Sequence, residues 1–375
     1  MFEFTKEQEM LRGMVREFSE KELAPRALDL DKKGELPAEL FKKLADLGLL
    51  GISTPKNLGG SGMGHLAATI ATEELARVYP SAAFFLEVGT GPVYAIANFG
   101  SAGQKKKYIA PVISGAKKMC IAATEPSGGS DLATMQTEAV AAGDGYVING
   151  RKVYITNGGV SDYCLLLAKT GDRASFFFVE KGTPGFIVGR RQEQMGLRAV
   201  DVSELVFSDC KIQKDAVLGK EGAGFPIAIS TFTVARLSIG ALGLGIAGGA
   251  FDIALKYAKE RILYGKPISK LQAVQFMLAE MDTEIEAARW LIYYPGAALD
   301  RGMTPRDITK SSARAKAVGA EVALSVTRKA IEILGGYGVS PEYHLARLLN
   351  DAMELFPATG TNQIMKIIQA GEILK

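Results

Sequence analysis

The stretch Ile121-Ala-Ala-Thr-Glu-Pro-Ser-Gly-Gly-Ser-Asp131 lies where the texture of the chain changes. Upstream the pattern is helical. Thr5-Lys-Glu-Gln8 fits a capping box, in which each side chain satisfies a free backbone N–H, and Met10, Leu11, Met14, Val15 and Phe18 follow on one helical face. Pro25, Pro55, the Gly59-Gly-Ser-Gly62 turn and Pro80 punctuate further helices. Downstream, Asp144-Gly145 and Asn149-Gly150 read as turn signals. The runs Lys152-Val-Tyr-Ile-Thr156, Tyr163-Cys-Leu-Leu-Leu-Ala168, Ser175-Phe-Phe-Phe-Val179, Gly185-Phe-Ile-Val188 and Leu205-Val-Phe207 predict a small antiparallel sandwich or barrel. After residue 224 the pattern is helical again, broken at Gly335-Gly-Tyr-Gly338 and Pro341. The expectation is an α+β multidomain fold: an N-terminal helical domain over 1–118, a middle β-barrel domain over 119–224 and a C-terminal helical bundle over 225–375.

At 375 residues, 47% hydrophobic and 23% charged, the chain has the composition of a soluble globular protein. Forty-four Lys plus Arg nearly balance 41 Asp plus Glu, so no net field recruits nucleic acid or an anionic membrane. Cys120, Cys164 and Cys210 are far apart in sequence, odd in number and without metal or redox spacing, which predicts a reducing cytoplasm. With two histidines, His65 and His344, a His-rich metal site or a Ser-His-Asp triad is not expected. Residues 1–9 mix charges with aromatics, unlike a secretory signal. The apolar run 237–251 is Gly-rich and shorter than the roughly 18–20 residues that span a bilayer, so it predicts a buried core helix. Gly243-Leu-Gly-Ile-Ala-Gly248 matches a dinucleotide fingerprint, but inside an apolar helical run and not after a strand. Close helix packing through small residues is the expected role.

The order and text of the motifs resemble the FAD-dependent acyl-CoA dehydrogenase family over essentially the whole chain. They are Thr124-Glu-Pro-Ser-Gly-Gly-Ser-Asp131, Asn149-Gly-Arg-Lys-Val-Tyr-Ile-Thr-Asn-Gly158, Arg261-Ile-Leu-Tyr-Gly-Lys-Pro-Ile268 with Gln272, and Ile333-Leu-Gly-Gly-Tyr-Gly338. The resemblance implies a C-terminal four-helix bundle, a homotetramer, FAD, an acyl-CoA substrate and an electron-transferring flavoprotein as acceptor. By the same resemblance Thr124 and Thr156 contact the flavin ring and Tyr154 stacks on it where Trp is more usual, Ala123 and Gly129 lie against the cofactor, and Ser130 reaches the CoA or FAD phosphate. Arg261, Tyr264, Gln272, Glu332, Gly335, Gly336, Thr361 and Gln363 meet the rest of the cofactor. A guanidinium fork at Arg261 suits the pyrophosphate of an adjacent subunit's FAD. Glu332 stands where Gln is usual, and a carboxylate beside a pyrophosphate needs a proton or a partner. Ser130 and Arg236 are the implied substrate contacts, Arg236 at the acyl-CoA entrance. No metal is expected.

The family needs a carboxylate to take the α-proton of the thioester while a hydride leaves the β-carbon for flavin N5. Most members carry it immediately before Gly-Thr; here Phe356-Pro-Ala-Thr-Gly-Thr-Asn-Gln363 puts Thr359 there. A minority carry it just before the residue matching Arg236; here that is Ala235. A threonine hydroxyl is no base near neutral pH, and loss of a positioned base costs about 10²–10⁴ in rate. The N–H of residue 359 remains to polarise the thioester carbonyl. One explanation moves the acidic proton to the vinylogous γ position of a conjugated cyclic thioester such as cyclohex-1-ene-1-carboxyl-CoA, with Glu87 as base. Glu87 aligns by count back from Gln104-Lys-Lys-Lys-Tyr108, and Gly89 and Gly91 would leave room for a ring. A second is a non-oxidising lyase or desulfinase on the same scaffold, which needs a cation for the sulfinate. A third is a non-catalytic flavin-binding paralogue.

Overall fold

The Thr5 capping box forms as expected. Gln8 N–H donates to Thr5 Oγ1 at 3.2 Å and Thr5 N–H to Gln8 Oε1 at 3.0 Å, which starts helix α1 (Lys6–Phe18). A computed structural model describes residues 4–375. The helices that follow are α2 (Ala27–Lys33), α3 (Ala38–Asp46), α4 (His65–Ala76), α5 (Pro80–Phe84), α6 (Glu87–Thr90), α7 (Pro92–Phe99) and α8 (Ala102–Ile113). α4 is buried on nearly every side, so its adjacent carboxylates need partners. Arg16 grips Glu74 with two bonds of 2.9 Å, while Arg289, at 3.1 Å, and the Tyr293 hydroxyl hold Glu73.

The β region holds β1 (Met119–Ala122), β2 (Glu138–Ala142), β3 (Gly145–Thr156), β4 (Tyr163–Thr170), β5 (Arg173–Glu180), β6 (Phe186–Arg191), β7 (Val202–Gln213) and β8 (Val217–Leu218). They form one eight-stranded sheet, ordered β6-β7-β3-β2-β4-β5-β8 with β1 added on β4. Two features correct the sequence reading. The sheet is mixed, because β4 pairs in parallel with β1 and β2, and its strand path is open rather than closed into a barrel. Asn149-Gly150 is no turn but an irregularity inside β3, where a methyl at Gly150 would lie 2.4 Å from Thr137. The unbroken apolar run in β4 is explained by burial on both faces. Cys164, Leu166 and Ala168 pack inside the sheet, while Leu165 and Leu167 pack with residues of α7 and α8. Cys120 and Cys164, distant in sequence, are register partners on β1 and β4 and remain free thiols.

The last region comprises α9 (Gly224–Glu260), a hairpin of β9 (Ile262–Leu263) and β10 (Lys266–Pro267), then α10 (Gln272–Asp300), α11 (Thr309–Leu334), α12 (Leu345–Glu354) and α13 (Asn362–Ile373). α9 is long and apolar enough to cross a membrane by composition, yet 78% of its apolar window is buried in the protein. Its glycines show why. A methyl at Gly243 would lie 2.1 Å from the Gly319 carbonyl oxygen, and one at Gly245 2.3 Å from that of Glu73. The fingerprint-like glycines thus let α9 touch α11 and α4 backbone to backbone.

Candidate active site

Glu87 and Thr359, 272 residues apart, meet: the Thr359 hydroxyl donates to Glu87 Oε1 at 3.2 Å. Glu87 opens the short helix α6, whose other residues are buried, and Thr359 tops the turn between α12 and α13 in the left-handed region at φ 50°. Burial raises the Glu87 carboxyl to about 7, with the Thr359 hydrogen bond pulling the other way. Hydroxyl pairs tie this wall to α9: Thr90 Oγ1 lies 2.9 Å from Ser238 Oγ, and Tyr94 Oη 3.3 Å from Ser230 Oγ. Gly89 and Gly91 do not make the room expected of them. A methyl at Gly89 would lie 2.4 Å from the Leu50 carbonyl oxygen, and one at Gly91 3.1 Å from that of Glu87. Both glycines serve close backbone packing. Arg236, on α9, makes no hydrogen bond or ion pair among the described residues, its Nε is buried, and burial lowers the guanidinium to about 10.

The second group lies at the sheet. Val153 N–H donates to the Thr124 carbonyl at 3.0 Å, which sets Ala123 and Thr124 beside the end of β3. A methyl at Gly129 would stand 3.0 Å from Thr124, so that loop folds back on it. Tyr154 is held at φ 56° and is 67% exposed, its ring free of aromatic partners among the described residues. Thr156 is half-buried opposite Val202, and Ser130 is exposed. A backbone loop, two threonines and an unstacked aromatic face suit a flat heteroaromatic ring.

Sequence reasoning missed what holds this loop. Lys152, fully buried, donates to the Ala123 carbonyl at 3.0 Å and to Glu125 Oε1 at 2.7 Å. Glu125 also accepts the Gln136 and Thr137 N–H groups at 2.5 and 3.0 Å. The available signal was a lysine within a strand run and an acid within the loop motif. Lys152→Met strands a buried carboxylate and is expected to cost about 3–5 kcal/mol, read as a lower denaturant midpoint. An unchanged midpoint would remove the pair from the fold's support.

The third group lines a cleft of about 600 Å³ that includes Arg261, Glu332, Gly335, Gly336, Tyr337 and Ser340. Arg261 lies 5.8 Å from the Tyr337 ring centre. Glu332 has the partner its position demands, Arg328 one turn earlier. Neither Gly335 nor Gly336 has an atom within 4 Å of where a side chain would begin, so the wall there is open backbone. A guanidinium beside open backbone fits a pyrophosphate. Tyr264, in the β9–β10 hairpin, is 89% exposed, and Gln272 and Gln363 are exposed at the starts of α10 and α13. Thr361 caps α13, its hydroxyl accepting the Ile364 N–H at 3.2 Å. No hydrogen bond or ion pair among the described residues joins this cleft to the group around Thr124.

Comparison with known proteins agrees with the three-part fold. The acyl-CoA dehydrogenase N-terminal, middle and C-terminal domain models match residues 5–116, 120–210 and 222–374. The short-chain specific acyl-CoA dehydrogenase of Clostridium acetobutylicum is 40% identical, the match covering 100% of both chains. The caffeyl-CoA reductase-Etf complex subunit CarC of Acetobacterium woodii is 38% identical, covering 99% of both. The butyryl-CoA dehydrogenase structure from Megasphaera elsdenii superposes with a TM-score of 0.96 at 36% identity, covering 100% of both. The protein is an oxidoreductase of the acyl-CoA-dependent kind. The chain belongs to the acyl-CoA dehydrogenase family.

Proposed function

We propose that this enzyme dehydrogenates a cyclic, already unsaturated acyl-CoA such as cyclohex-1-ene-1-carboxyl-CoA, with Glu87 as the base. The contact between Glu87 and Thr359 carries the reading: a buried carboxylate stands across from the position where the family's usual base would be expected. The substrate's α-carbon then has no proton to give, and the acidic one lies further along the ring. Bound FAD supplies the acceptor for the departing hydride. Thr124, Thr156 and Tyr154 would orient its ring, while Arg261 with Gly335 and Gly336 would meet the phosphates of the FAD held by a neighbouring copy. The Thr359 N–H, which makes no hydrogen bond among the described residues, is free to polarise the thioester carbonyl. Burial of the carboxyl at about 7 leaves it able both to hold and to release a proton near neutrality.

An electron-transferring flavoprotein as acceptor is supported by the Acetobacterium woodii relative, named as part of an Etf complex. The open cleft at Arg261, Gly335 and Gly336, read as meeting the cofactor of an adjacent subunit, supports a site completed by a second copy, and the assembly proposed is a homotetramer. A non-oxidising desulfinase is the second reading, favoured by the unpaired Arg236, a cation that a sulfinate could meet. Anaerobic titration of the holoenzyme separates these. Bleaching of the flavin by cyclohex-1-ene-1-carboxyl-CoA and not by butyryl-CoA is the expected result. Bleaching by butyryl-CoA would overturn the displaced base, sulfite release without bleaching from an added sulfinate-bearing acyl-CoA would favour the desulfinase, and flavin unresponsive to every thioester would leave a non-catalytic paralogue.

A further inference from the structure

Lys316, in the middle of α11, is fully buried. Its ammonium donates to the Phe356 carbonyl at 2.8 Å and to Asn362 Oδ1 at 2.8 Å. Those two residues are the ends of the turn that carries Thr359. The same Phe356 carbonyl accepts the Asn362 N–H at 3.1 Å, so one oxygen closes the turn and ties it to α11. Asn362 Nδ2 lies 3.4 Å from Glu321 Oε1 and 3.5 Å from the Ala317 carbonyl, both also on α11. At the apex, Thr359 and Gly360 both have left-handed backbones, φ 50° and 95°, and the side-chain bond Thr359 makes there is the one to Glu87. α11 packs tightly against α9: Ser312 donates to the Thr233 carbonyl at 2.6 Å, and a methyl at Gly319 would lie 2.5 Å from the Gly240 carbonyl oxygen.

A buried ammonium is expensive, and an apolar residue would fill this helix position at lower cost in stability. Burial, with the Arg236 charge adding to it and Glu321 opposing it, pushes Lys316 down to about 7. The two oxygens it grips are what the expense secures. We propose that Lys316 is a positioning residue: by clamping Phe356 and Asn362 onto α11 it fixes where the Thr359 hydroxyl and N–H point, and through them the orientation of the Glu87 carboxyl. The inference rests on the reading of the Thr359 N–H as the thioester's hydrogen-bond donor, and not on the substrate being cyclic.

The test uses holoenzyme and acetoacetyl-CoA, whose enolate absorbs at long wavelength against oxidised flavin and needs no proton transfer to Glu87. In Lys316→Met the pH midpoint for the bound enolate is expected to rise by about one unit, a tenfold loss of preference for the anion. Amide exchange should rise at residues 358–361 while FAD content stays at the wild-type level. Asn362→Ala removes one acceptor and is expected to move the midpoint in the same direction by less, with the double variant less than additive. A lower melting temperature with an unmoved midpoint would overturn the proposal, since a merely structural lysine behaves that way. Should Lys316→Met fail to fold, Asn362→Ala decides alone, and a wild-type midpoint there overturns it. A wild-type enzyme that no cyclic thioester bleaches defeats the proposed function and leaves this comparison intact.

Discussion

Glu87→Gln is expected to slow flavin reduction by cyclohex-1-ene-1-carboxyl-CoA by about 10²–10⁴-fold, with FAD content unchanged. Gln keeps the size of the side chain and can still accept from Thr359, so the loss isolates the proton-accepting oxygen. The pH dependence follows from the raised carboxyl. The base works only when ionised, so the wild-type rate should climb as pH rises through about 7 and level off above it. The same burial sets the sign of a stability effect. A carboxyl raised from its unfolded value of 4.5 favours the protonated folded state, and stability falls as pH rises from about 4.5 to 7. Above that window the wild type carries the full penalty of a buried charge. Glu87→Gln should therefore melt higher than wild type at pH 8, with little difference at pH 4, where both groups are neutral. Undiminished flavin reduction in this variant would remove Glu87 from the mechanism.

Thr359→Glu is expected to give the enzyme butyryl-CoA dehydrogenation, at about 10² times the wild-type background or more. The turn is already built, its N–H is free, and Arg236 stands without a carboxylate partner. The introduced acid would also lie close to Glu87, which now accepts the Thr359 hydroxyl at 3.2 Å. Two carboxyls at that range do not both ionise near neutrality, so activity on the cyclic enoyl thioester should fall in the same variant. Anaerobic bleaching with each thioester reads both effects. No gain with butyryl-CoA would mean that the shape of the pocket, and not the missing acid alone, excludes saturated chains.

Much of this arrangement was legible because particular residues announce themselves. The runs around Leu165, Phe177 and Val206 mark strands wherever they occur, and β4, β5 and β7 contain them. The strand Glu138–Ala142 was not seen, since Ala-rich, largely exposed residues carry no β signal. Asn149-Gly150 misled because the same dipeptide that suits a tight turn also suits an extended-strand irregularity beside Thr137. Gly89 and Gly91 misled because a missing side chain reads alike whether it frees a pocket or admits a neighbouring backbone. Glu87 and Thr359 could be paired from motif order, but their hydrogen bond is a fact of tertiary structure. Lys152 and Lys316 were hidden for a simpler reason. A lysine in a strand or helix looks like solvated surface, and only packing shows it to be enclosed.

The crossing of α9 with α4 and α11 through Gly243, Gly245 and Gly319 has an evolutionary side. Helices in backbone contact leave no slack for even one added methyl, so these positions on α9 and α11 admit no larger residue without the helices moving apart. The proposed chemistry lies elsewhere, on the four-residue helix that Glu87 opens and on the short turn of Thr359. A lineage can exchange the acid at the turn, or recruit another on the helix opposite, without renegotiating its core. Stiffness at the centre is what lets the reaction change hands at the periphery.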